Sequence, residues 1–155
     1  MKNPCSAEWC RLTWQVLLYL ESAYDRLDCG ESILVRDESW GAYVGEEWEK
    51  PEASIGFEVK PATEKRIKGN FLWIGLLFTE NGVKGDRPIW IQAMRDDLQM
   101  WERLKIEFKD ALVYDTDDGW SVGLQWTLSD NATNSDVRVA GEELADRVTK
   151  VLEAR

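Results

Sequence analysis

The 155-residue chain contains no histidine, and that absence removes more chemistry than any residue present supplies. Imidazole is the side chain that changes charge near neutral pH, so Ser-His-Asp and Cys-His nucleophilic systems are excluded in their usual form. Histidine-containing zinc and non-haem iron sites fall with them. Cysteine is sparse. Cys5, Cys10 and Cys29 are an odd number without a CxxC pair, which suggests neither a disulfide framework nor a zinc knuckle and leaves ordinary reduced thiols as the expectation. The phosphate-cradling patterns GxxxxGK[ST] and GxGxxG are both missing. Basic residues are outnumbered, 19 against 29 acidic ones, for a formal net charge of −10. Such a molecule repels nucleic acid and anionic membrane and favours a basic partner. No apolar run approaches a membrane span, and the N-terminus lacks the basic, apolar and small-residue order of a signal peptide, so a cytoplasmic location is expected. Neither a resident metal nor a cofactor is indicated, and any catalysis would rest on carboxylates, lysines or hydroxyls.

What is present is mostly fold information. At this length one domain spanning residues 1–155 is expected, burying roughly two-thirds of its extended-chain surface around a single core. Trp9, Leu12, Thr13, Val16, Leu20, Ala23, Tyr24 and Leu27 recur at helical spacing, with Gly30 as the stop. Ile33 and Val35 alternate with polar neighbours, and Ile55, Phe57 and Val59 do so again before Pro61. Phe71 to Phe78 is an almost unbroken apolar run that reads as a central strand covered on both faces. Turn chemistry over Asn81 to Asp86 precedes Ile89 and Ile91, and Asp117-Asp118-Gly119 precedes the alternating Trp120, Val122, Leu124, Trp126 and Leu128. Leu98, Trp101, Leu104 and Phe108 make one helix face behind a cap at Asp96. Leu144, Val148, Val151 and Leu152 make another, whose start Gly141 leaves open. Most inter-strand connections are too short for parallel crossovers. An α+β fold follows, a mainly antiparallel sheet of about five to seven strands with helices packed mainly on one face. Trp73, Trp101, Trp120 and Trp126 are assigned to packing.

Two stretches carry candidate chemistry. Trp40 and Trp48 sit among Asp37, Glu38, Glu46, Glu47, Glu49 and Glu52, where strand signal is weak. Aromatic anchors ringed by carboxylates suit a basic or cationic partner. Trp40, Trp48, Glu46 and Glu47 are therefore the candidate partner-binding residues of a small acidic binding or adaptor protein, whose partner is expected to be a protein. An uncovered sheet face is the other candidate surface, and homo-oligomerisation stays open. The order of elements is similar to that of small acidic secretion-chaperone modules, a likeness of topology without a motif.

The alternative rests on Glu58-Val59-Lys60, whose first and third side chains share one face of a strand. This resembles the E-x-K half-motif of the PD-(D/E)xK nuclease family. The resemblance implies a divalent metal such as Mg held by the carboxylate and a lysine that positions or activates water. Asp37 would be the upstream carboxylate, without the family's preceding proline, and Glu21 a further ligand. Without such a metal, Glu58 and Lys60 are an exposed pair on a sheet face. Lys60, Lys65, Arg66 and Lys68 form the one basic cluster, read as a solvated loop. Asp115, Asp117 and Asp118 echo the start of a calcium loop but lack its spacing and distal Glu, which leaves a hairpin turn.

Overall fold

A computed structural model of the chain describes residues 7–44, 52–62, 71–79, 82–83, 86–94, 96–116 and 119–153. The elements run α1 (Ala7–Asp28), β1 (Ile33–Val44), β2 (Glu52–Pro61), β3 (Leu72–Thr79), β4 (Gly82–Val83), β5 (Ile89–Met94), α2 (Leu98–Glu107), β6 (Leu112–Thr116), β7 (Gly119–Leu124) and α3 (Asn134–Glu153). The strands form one sheet in the order β1-β2-β3-β5-β7-β6, with the two-residue β4 paired to β3 off this path. Every pairing is antiparallel. The expected α+β architecture is therefore present, with β3 central. Among the described residues no helix is long and apolar enough to cross a membrane.

Pairing register sorts the side chains, because directly opposed residues share a face and alternate residues leave it. Phe57, Ile74, Ile91 and Val122 make one row across β2, β3, β5 and β7, and all are fully buried. Val16, Leu20, Ala23 and Leu27 of α1, Met100, Trp101 and Leu104 of α2, and Leu144, Val148 and Val151 of α3 join them in a single core. The helices thus cover one face. Trp101 stacks on Trp120, ring centres 5.4 Å apart. Trp120, Leu124 and Trp126 are half-buried at the margin of this core rather than enclosed by it.

Helix α1 packs mainly on α3, and the two run side by side in the same direction. Gly141 faces Tyr19 and Ser22, Arg26 pairs with Asp146 (Nε to Oδ1 3.0 Å), and the Ser32 hydroxyl meets the Glu153 carboxylate. Gly141 marks this crossing and not a helix start. A Cβ there would collide with the Tyr19 main-chain oxygen and lie 2.9 Å from Ser22 Cβ. The start of α3 is fixed seven residues earlier by a reciprocal cap. The Asp136 N–H donates to the Thr133 hydroxyl (3.1 Å), and the Thr133 N–H donates to the Asp136 carboxylate (2.9 Å).

Four expectations are corrected. The cap of α2 is Asp97, which accepts from Met100 N (2.9 Å). Asp96 lies one residue too early for its carboxylate to reach that N–H. Leu98 is 63% exposed while Met100 is buried. A side chain at the first helical position leans back past the helix end, and the stripe takes up Met100 instead. The stretch after Val35 with weak strand signal is strand as far as Val44, with a register shift between Arg36 and Gly41. Finally, among the described residues β3 has helices on one face only, and Trp73 lies on the other.

Candidate functional site

The helix-free face is built from the alternate residues of the same strands. Gly41, Gly56, Gly75, Trp90, Gly123 and Leu112 stand opposite one another in a continuous row across six strands. Glycine is required here by close approach. A Cβ on Gly56 would lie 2.6 Å from the Trp73 ring, one on Gly75 would overlap that ring, and one on Gly123 would lie 2.8 Å from Trp90. The indoles of Trp73 and Trp90 thus lie against bare backbone, which explains why β3 reads as apolar on both sides without a second layer. Trp90 is 5% exposed and Trp73 half-buried.

The next row on this face carries Glu58, Trp73, Gln92 and Ser121, with Arg36 opposite Glu58 in register. Lys60 lies two residues beyond Glu58, so both residues of the E-x-K pattern do share a face, and both are half-buried. Glu21 does not join them. It is exposed on α1, and the sheet separates that helix from Glu58. Asp37 is in β1 beside Arg36, but its side chain, like that of Trp40, lies outside the described residues, as do Trp48, Glu46, Glu47, Lys65, Arg66, Lys68, Asp117 and Asp118. Among the described residues no three His, Cys, Asp or Glu side chains cluster as a metal would need.

A second feature was not legible from periodicity. Strands β6 and β7 pair only as far as Leu112 and Gly123. Beyond that point one chain turns back through Ala111 and Asp110 to α2, and the other runs on as Leu124 to Leu128. Between them, floored by α3 and Tyr19 of α1, is a cavity of about 340 Å³. Ile89, Phe108, Leu124, Trp126, Leu128 and Leu144 give it apolar walls.

Its polar lining residues are Tyr19, Asp110, Gln125, Thr127, Glu143 and Arg147. The Arg147 guanidinium lies over the Phe108 ring, 4.1 Å from the ring centre. Its Nε donates to Glu107 Oε1 (3.2 Å) and its Nη2 to the Glu107 main-chain oxygen (2.7 Å). Two of its three nitrogens are thereby fixed, and Nη1 has no hydrogen bond among the described residues. The Tyr19 ring meets Trp126 edge-on at 5.4 Å. Burial pushes the Tyr19 phenol far above its usual range, with Arg147 opposing and Glu143 reinforcing the shift, so the hydroxyl stays a neutral donor. Glu143 and Asp110 stand exposed at the rim. The one sequence signal for this site is the apolar alternation of Trp126 and Leu128 beyond the end of β7. No protein-family model, curated protein or solved structure matches the chain.

Proposed function

We propose that the chain is a non-catalytic binding protein that meets a protein partner across the helix-free face of its sheet. The observation that carries this reading is the placement of the three described helices on one face, which leaves Trp73, Glu58, Lys60 and Gln92 on the other. An aromatic anchor with charged and amide neighbours is the composition of a recognition surface. The net charge of −10 suits a partner segment that is basic. Trp40, Trp48, Glu46 and Glu47 are proposed as further partner-binding residues.

The test is affinity capture from the native host with the wild type and with a Glu58→Arg, Gln92→Arg double variant, each shown to melt normally. A partner held by the wild type and by an Arg138→Ala control, but lost by the double variant, is the expected result. Equal recovery by all three would remove the sheet face from the interaction. Magnesium titration of the wild type and Glu58→Ala serves the nuclease-like alternative. Saturable heat in the first and none in the second would favour metal chemistry at Glu58, Lys60 and Asp37 over simple binding.

A further inference from the structure

From the cavity where β6 and β7 part, we infer a binding site for a small zwitterionic carboxylate with an apolar body, the chemistry of a free amino acid with an aromatic or branched side chain. The site is independent of the sheet face proposed above, since α3 and Tyr19 lie on the opposite side of the sheet.

A cavity of about 340 Å³ is at the lower end of the range for small-molecule sites, roughly 300–1,000 Å³, and suits a ligand of amino-acid size. Apolar and aromatic walls would take a hydrocarbon or aromatic side chain. Arg147 and Tyr19 both line the cavity, and the Arg147 charge acts on the Tyr19 phenol, so two donor-bearing side chains stand near each other there. The Glu107 contacts and the Phe108 ring hold the guanidinium without drawing Nη1 away, and the Trp126 ring holds Tyr19. Preorganised donors of this kind bind a carboxylate without the ordering cost of a free side chain.

A simple anion is disfavoured, because Arg147 is already balanced by Glu107 while Glu143 and Asp110 add negative charge at the rim. Glu143 is one helical turn before Arg147, so it lies on the same side of α3. An ammonium group beside the carboxylate answers that rim charge. A zwitterion therefore complements the site at both ends, and neither half-charged analogue does.

The experiment compares L-phenylalanine, 3-phenylpropionate and phenethylamine by calorimetry on the full chain. These probes share the ring and differ only in which charge they keep. L-Phenylalanine is expected to bind about tenfold or more tightly than either analogue, the effect of losing one hydrogen bond to a charged group. Glu143→Gln should weaken L-phenylalanine and phenethylamine and spare 3-phenylpropionate. Arg147→Gln should weaken L-phenylalanine and 3-phenylpropionate and spare phenethylamine. If Arg147→Gln proves unfolded by its melting curve, the analogue series and the exposed Glu143 variant still decide. Equal binding of the three compounds would show an apolar cavity without charge recognition, and no saturable binding of L-phenylalanine would remove the site. Either result overturns the inference and leaves the sheet-face reading untouched.

Discussion

Single atoms decide several features of this molecule. At Gly141 two effects oppose each other. Replacing glycine by alanine inside a helix gains up to about 1 kcal/mol of intrinsic propensity. The added Cβ, however, meets the Tyr19 main-chain oxygen, a backbone atom that cannot rotate aside, and forced overpacking costs typically about 1–3 kcal/mol. Gly141→Ala is therefore expected to lower the denaturation midpoint, and a raised midpoint would mean that α1 and α3 cross more loosely than described. The same logic explains why Trp73 misled a reading by hydropathy. An indole packed on the bare backbone of Gly56 and Gly75 completes an apolar pattern on a face that carries no helices. Residue type records that the strand is covered, and only the register shows by what.

At the scale of elements, periodicity located the three described helices and strands β2, β3, β5 and β7, because each buries one stripe or one set of alternate residues. Phe57, Val59, Ile74, Ile91 and Val122 illustrate this, since every one is apolar, alternate and fully buried. Helix ends were less legible. Asp96 and Asp97 are equivalent in composition, and only the bond to Met100 distinguishes them. The cavity was less legible still. It arises from two strands separating, and Tyr19 and Arg147 carry no pattern that announces their meeting. The cap of α3 gives a pH test. Hydrogen bonds from Thr133 hold the Asp136 carboxyl below its ordinary value. A group whose folded pKa is depressed contributes stability above its unfolded pKa, about 3.9 for aspartate, and loses that contribution as pH falls through the folded value. The melting-temperature gap between wild type and Asp136→Asn should be present at neutral pH and close on acidification below that range. A gap of constant size would show that the charge of Asp136 plays no part.

For the molecule as a whole, the pairing of α1 with α3 closes the chain over a long span, with Arg26 and Asp146 separated by 120 residues. The sheet between them is held by neighbouring strands, but Val16, Leu20 and Leu27 share their core with Leu144, Val148 and Val151 of the final helix. A chain ending at Asp130 should retain strand signal by circular dichroism yet unfold without a cooperative transition, whereas sharp unfolding would mean that α3 is an accessory. The parallel pairing also sets a timetable. A ribosome delivers α1 well before α3, so the side of α1 that faces α3 lacks its neighbour until the strands that separate the two helices in sequence have emerged. Completion of this core waits on α3, and through that interval the nascent protein presents a partly covered amphipathic helix to the chaperones around the exit tunnel.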